Sequence, residues 1–423
     1  MTTTINNKHN KLNFSSEREQ SQACLNSAEH EKNQGRKVLN VPNSTDKGNA
    51  IRNLPNLRFP EFREEWEEHE LSEYLDFKNG LNPKPNQFGK GIKFISVMDI
   101  LNNAVITYDC IRASVSVSEE DISAFSVQKG DILFQRSSET LEDVGRANVY
   151  VDDIPAVFGG FVIRGKQKTN YNPLFFKYLL SSPLARKRII RMGAGAQHFN
   201  IGQEGLSKVK LPFACIDEQN KIAKILYLLD KRISLQNKII EKIQTLIKGI
   251  AHKVSKQGKP NIRLSECLLC TSSTLQESDV AEVGAYPVYG ANGIVGYLDT
   301  YNTTSEAIYI IKDGSGVGAV SCVKGKCSAT GTLNILQTKE GFSLRYLYFI
   351  LKVFSFEPYK TGMAIPHIYF KDYGKAKIYC PSNQLQCKYA DLLSKIEQKA
   401  TAEQKILDNL CSQKQYLLCQ MFI

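Results

Sequence analysis

The stretch GAGAQHFNIGQEGLSKVKLP, Gly193–Pro212, aligns without a gap on GMAIPHIYFKDYGKAKIYCP, Gly362–Pro381. In that register His198 falls on His367, Gly205 on Gly374, Lys208 on Lys377 and Pro212 on Pro381. Working outward, the repeat covers most of the chain. Upstream, Leu71-Ser72-Glu73-Tyr74-Leu75 is answered by Leu264-Ser265-Glu266-Cys267-Leu268, and a Gly-rich, strand-like region follows each. Downstream, each copy closes in a long Lys/Glu/Gln-rich segment, where Ala390, Leu392, Leu393 and Ile396 answer Ala223, Ile225, Leu226 and Leu229. Two similar globular parts and two similar long helices suit a chain that touches two similar objects at a fixed distance. The pattern is that of a binding scaffold.

From Asp217 to about Lys256, Ile222, Ile225, Leu229, Ile233, Ile240, Ile243 and Ile247 recur every three or four residues. That period predicts a helix with a seam for a partner helix. Close to forty residues span about 60 Å at 1.5 Å per residue, more than a small domain needs. Gln257-Gly258-Lys259-Pro260 supplies its stop. A second such helix is expected from Gln384 to about Met421. Packed antiparallel, the two place the globular units at opposite ends of a rod.

Within the first unit, Ile92–Val97 alternates like a strand, Val127–Phe134 reads as a turn leading into a buried strand, and Ala156–Ile163 as a strand broken by the Gly159-Gly160 pair. Asn172-Pro173 reads as an N-cap with Pro in the first turn of a helix running to about Ser182. In the second unit, Tyr286–Tyr297 reads as strand, Asn292-Gly293 turn and strand, and Ala307–Ile311 matches Asp131–Gln135. Residues 1 to 53, rich in Asn, Ser, Gln, Lys and Glu without apolar periodicity, are expected to form a disordered tail.

The 423 residues suffice for two or three cored domains, and a net charge of +11 favours a polyanionic partner, nucleic acid above all. Met1–Lys11 is polar, so no secretory leader is expected, and the 11 scattered cysteines are read as reduced thiols of a cytoplasmic chain. Cys267-Leu268-Leu269-Cys270 with Cys322 and Cys327 imitates a zinc pair. Its two intervening leucines make no ligand turn, and the first copy has Tyr74 and Phe77 in place of the first two cysteines. No apolar run is long enough to span a membrane.

Catalytic patterns are wanting. Gly314-Ser315-Gly316-Val317-Gly318 is followed by Ala319-Val320 rather than Lys-Ser/Thr, so a tight hairpin is expected there instead of a phosphate loop. Asn172-Pro173-Leu174-Phe175 lacks the second proline of the adenine-methyltransferase motif. Asp152 and Asp153 lack a nuclease-like Glu-x-Lys partner, and His198 and His367 stand alone in their halves. The candidates that remain suit DNA. Arg136 and Lys312 each follow a buried strand, and the loops Gln197-His198-Phe199-Asn200 and Pro366-His367-Ile368-Tyr369 carry groups able to read base edges. Arg186, Lys187, Arg188 and Arg191 form a denser basic cluster. Two accounts stay open for these residues: contacts to DNA, or loops and a helix face that are polar because they meet water.

The chain resembles the specificity subunits of type I restriction–modification systems. The resemblance covers nearly everything after the tail and rests on Leu57-Arg58-Phe59-Pro60-Glu61-Phe62 with Trp66, on Tyr286–Gly293, on the two long helices and on the duplicated layout. It implies an α+β fold in which two similar target-recognition domains, at 54–212 and 259–381, are separated by two long antiparallel coiled-coil helices at 213–258 and 382–423, related by a pseudo-two-fold repeat. Each recognition domain would read one half of a gapped double-stranded DNA target. Two methyltransferase (M) subunits and the restriction (R) subunits would be the partners. S-adenosylmethionine, ATP and Mg would sit on those subunits and none on this chain, which would not be an enzyme. A coiled-coil scaffold, or a DNA-binding protein without sequence preference, is the alternative.

Overall fold

A computed structural model describes residues 54–363 and 365–423. The expected tail over 1–53 lies outside the described residues. Two long helices, Ile216–Ser255 and Asn383–Gln420, form the rod, each within a residue or so of its expected bounds. They run antiparallel: Asp230 meets Lys414 (2.8 Å), while Gln236 donates Nε2 to the Glu403 carbonyl (3.0 Å) and carboxylate (2.5 Å). Glu403 lies 167 residues after Gln236, which makes each the other's counterpart in the repeat. Their contact therefore marks the pseudo-two-fold axis. The seam differs in detail from the expected stripe. Ala223, Leu226, Ile240 and Ile247 are buried, while Ile225 and Leu228 stand 40% and 56% exposed on the outer face.

Each half builds the same four-stranded antiparallel sheet. In the first the order is Leu75–Asn79, Val162–Gln167, Ile132–Gln135, Ala147–Val149; in the second it is Leu268–Ser272, Leu333–Thr338, Ala307–Ile311, Val320–Val323. Strand alternation explains the two cores. Ile132 and Phe134 face the helices while Leu133 faces the outer sheet, and Ile308 and Ile310 are likewise opposed to Tyr309. A second sheet lies beyond, of four strands in the first half and three in the second. Gly314–Gly318 is the hairpin expected: Gly318 N donates to the Ile311 carbonyl (2.8 Å), joining two paired strands.

A short helix ties each sheet to the rod. Asn172 caps Pro173–Ser181 through its Oδ1, and Ser343 caps Leu344–Val353 through its Oγ. Each cap is itself gripped by a buried glutamine on a long helix. Gln219 accepts from Asn172 N (2.9 Å) and donates to the Ala214 carbonyl (2.9 Å); Gln386 accepts from Ser343 N (3.0 Å) and donates to the Pro381 carbonyl (2.8 Å). A buried amide satisfied on both sides fixes position without the cost of an unmade bond.

The rod also crosses between halves. Ala251 and Val254, ending the first long helix, lie in the core of the second half; Leu418, near the end of the second, and Met421 and Phe422, just beyond it, join the core of the first, where Phe422 packs on Trp66 and Phe175. The opening segment closes on the chain's end, with Leu57 N donating to the Gln420 carbonyl (2.8 Å). Arg58 places a bidentate pair on buried Glu218 (2.8 Å each), which also accepts from Trp66 Nε1 (3.1 Å).

Candidate nucleic-acid interface

The repeat brings the same construction to the outer end of each central strand. After Gln135 comes Arg136, whose carbonyl accepts from Ile201 N (2.9 Å); after Ile311 comes Lys312, whose carbonyl accepts from Ile368 N (2.9 Å). Ile201 and Ile368 are buried anchors, 1% and 0% exposed. Just before each anchor the chain turns in a tight hairpin. Ala194 and Asn200 exchange N–H···O bonds (2.9 Å each), as do Thr361 and His367 (2.9 and 2.8 Å). Gly195 (φ +142°) and Gly362 (φ +87°) make the turn, and a Cβ there would lie 2.0 Å from the His198 carbonyl oxygen or 2.3 Å from that of Ile365. Only glycine fits such a backbone approach.

These bonds correct the register of the repeat. Thr361 follows Ala194 by 167 residues, and the same interval joins Gly195 to Gly362, Asn200 to His367, and Ile201 to Ile368. Farther on, Val209 and Ala376 accept from Leu71 and Leu264 at that interval too. The ungapped alignment of His198 with His367 is therefore two residues out of step. His367 occupies the place of Asn200, and Ile365 that of His198.

Within this frame the expected residues separate into groups. Gln197, His198 and Asn200 are exposed on the first hairpin, and the Ser137 hydroxyl contacts the Asn200 side chain. His367 and Tyr369 sit beside the second hairpin with their rings in edge contact (5.5 Å). Arg136 is partly buried and donates Nη1 to the Gly160 carbonyl (3.3 Å), next to Phe161, which is 68% exposed. Lys312 lies 3.6 Å from Asp313.

The basic cluster does not hold together as one surface. Arg186 donates Nη2 to the carbonyls of Glu142 (2.9 Å) and Val144 (2.6 Å), and burial lowers its guanidinium to about 10. It braces the segment around Glu142 and Val144 through Nη2, and its Nη1 is buried as well. Arg188 is spent on Glu68 and the Lys210 carbonyl (2.5 Å each). Lys187 and Arg191 alone of the four are exposed. Charge type at one helix spacing could not distinguish brace from free cation; the carbonyls that hold Arg186 come from a distant loop.

The four thiols weighed as a zinc pair have separate surroundings. Cys267 packs beside Cys380, Cys322 reaches Glu306 (3.5 Å) and Cys327 meets the Tyr309 hydroxyl (3.3 Å). Among the described residues no group of three or more His, Cys, Asp or Glu is placed to hold a metal ion. Among them, too, no helix is long and apolar enough to cross a membrane.

Fold and site together define a double-headed scaffold: two copies of one module, each presenting a hairpin beside a cation, at either end of an antiparallel helical rod. The chain belongs to the type I restriction modification DNA specificity domain family, whose model matches it twice, over residues 63–245 and 267–411. It is 28% identical over 211 residues to the MjaX type I restriction enzyme specificity subunit described from Methanocaldococcus jannaschii, covering 49% of each chain. It is 26% identical over 112 residues to the EcoprrI specificity subunit of Escherichia coli, covering 26% of this chain and 28% of that one. The chain thus spans about half the length, or less, of the curated relatives it matches. Its fold is similar to the crystal structure of a type I restriction–modification S subunit from M. genitalium, with a TM-score of 0.59 at 20% identity, over 88% of this chain and 99% of that one.

Proposed function

We propose that this chain is the DNA-specificity subunit of a type I restriction–modification complex, reading a bipartite gapped target in double-stranded DNA. The observation that carries this reading is the repeated module: one hairpin-and-cation construction, built twice and held apart by the rod. Each end reads one half-site, and the rod sets the gap. The charge of +11 supports a polyanionic ligand, since cations that neutralise phosphates supply much of the affinity for DNA.

The chain acts without chemistry of its own. S-adenosylmethionine, ATP and Mg belong to two methyltransferase subunits and the restriction subunits, which it positions on DNA in the cytoplasm. The outward faces of the rod suit such partners. Ile225, Leu228 and Tyr416, exposed by 40%, 56% and 59%, line an open groove of about 680 Å³. Exposed apolar groups gathered in one place favour an interaction surface.

The test is modified-base sequencing of DNA from cells that express the chain with its neighbouring methyltransferase subunit, against cells lacking the chain. The expected result is a new gapped motif with methyladenine in both halves. Copurification of the two proteins with no such motif, on an expressed and folded chain, would count against sequence reading and for a scaffold.

A further inference from the structure

The two hairpins share their closing bonds and differ at their tips. Gly195 and Gly362 occupy one position of the frame, and the closing bonds and buried anchors match. At that fixed interval of 167 residues, Ala196 is replaced by Met363 and His198 by Ile365. The first tip is polar, with Gln197 and His198 exposed. The second is apolar: Met363 is fully exposed and Ile365 is 64% exposed. Packing explains neither choice, because these side chains are not buried. An exposed Met and Ile cost solubility and contribute nothing to the core. Where two modules read different half-sites, a frame held constant with exposed tips that differ is the arrangement expected of reading residues.

We infer that the two glycine-turned hairpins are base-reading loops of different chemistry. The first reads by hydrogen bonds from Gln197 and His198, and the second by apolar contact of Met363 and Ile365 with the methyl group of a thymine. This inference rests on the specificity-subunit reading. The methyl is the apolar group that base pairs display in the major groove, which singles out thymine as the ligand of an apolar tip. Hydrogen-bonding tips serve the donor and acceptor edges of any base pair.

Two experiments on the full chain with its methyltransferase subunit test it. The first makes reciprocal tips, Ala196→Met with His198→Ile in one variant and Met363→Ala with Ile365→His in the other, and sequences the methylated motif. Each variant is expected to change or relax one base position in one half-site, leaving the other half-site and the gap as in the wild type. A gapped motif in the wild type that both variants methylate unchanged overturns the inference and leaves the specificity-subunit reading standing. No gapped motif in the wild type sinks both. The second needs no variant. Thymines in each half-site of a duplex are replaced one at a time by deoxyuridine, which removes only the methyl. Binding of the wild-type complex is expected to weaken roughly four- to tenfold at one thymine in the half-site that the second module reads. Equal binding at every replacement there overturns the thymine assignment.

Discussion

In the first half of the molecule Asp230, buried, is held by Lys177 (3.2 Å), Lys414 (2.8 Å) and the Tyr178 hydroxyl (2.8 Å). In the second, Glu397, 167 residues later, takes Arg345 (2.6 Å), Lys352 (3.4 Å) and the Tyr348 hydroxyl (2.8 Å). The plan is similar: an acid on a long helix receives a tyrosine and at least one cation from the short helix beneath the sheet. The setting is not. The Asp230 side chain is 6% exposed and the Glu397 side chain 23%. Lys414 reaches across from the second long helix, whereas its counterpart on the first, Ile247, joins the apolar core. The repeat therefore keeps an acid paired with a tyrosine in both halves, while the positions that supply the cations and the burial of the charge are settled locally. The first end also carries Glu218 with Arg58 and Trp66; Leu385 stands at the matching position of the second long helix.

The largest effect expected from this asymmetry comes from Arg58→Ala. It leaves the fully buried Glu218 carboxylate with the Trp66 indole alone, and breaking a buried pair costs about 3–5 kcal/mol. Urea unfolding followed by the single tryptophan, Trp66, reads it directly. A loss below about 1 kcal/mol would place Arg58 with ordinary surface pairs.

A paired substitution sharpens the comparison next. Asp230→Asn strands Lys177 and Lys414 and is expected to cost about 3 kcal/mol. Glu397→Gln, at the more open site, is expected to cost about 1 kcal/mol. Equal losses in thermal or urea denaturation would mean that the difference in burial has no energetic consequence. The third prediction concerns what the ends share. Gln219→Ala and Gln386→Ala each remove a two-sided amide beneath a helix cap, and each is expected to cost about 1–3 kcal/mol. Unequal costs would show that the common frame is not equally loaded.

How far the sequence led depends on the length of the pattern being read. Long helices carry many apolar turns, so their bounds were legible to a residue or so at Ile216–Ser255 and Asn383–Gln420. The hairpin register was not. Shared His, Gly, Lys and Pro letters drew Gly193–Pro212 onto Gly362–Pro381, two residues from the fold's interval. The helical matches of Ala223 with Ala390 and Leu226 with Leu393 already held the correct interval, and Gly195 with Gly362 keeps it. A turn that requires positive φ is a firmer marker than a shared histidine. Arg186 was illegible for another reason: its carbonyl partners at Glu142 and Val144 are distant in sequence, and no local spacing announces them.

The last prediction, the smallest, uses protons to separate the two ends. Burial alone would raise the Asp230 carboxyl, but Lys177 and Lys414 outweigh it and hold the group below its ordinary value of 3.8. A carboxylate depressed in the folded state stabilises above the unfolded value, and that contribution disappears as pH falls through the folded one. Acid should therefore loosen the first end in the window below about pH 3.8. Lys177 works in the opposite window. Burial lowers its ammonium to about 8 from 10.5, with Asp230 opposing, so the folded chain releases this proton before the unfolded chain does. Its contribution to stability then grows as pH rises across that interval. Hydrogen exchange in Pro173–Ser181, compared with Leu344–Val353 across both windows, is the measurement. In acid the first helix should lose protection in the wild type but change less with pH in Asp230→Asn, which starts from a loosened state. The same acid response in both proteins would assign the loosening to other carboxylates and remove Asp230 from the account of what distinguishes the two ends.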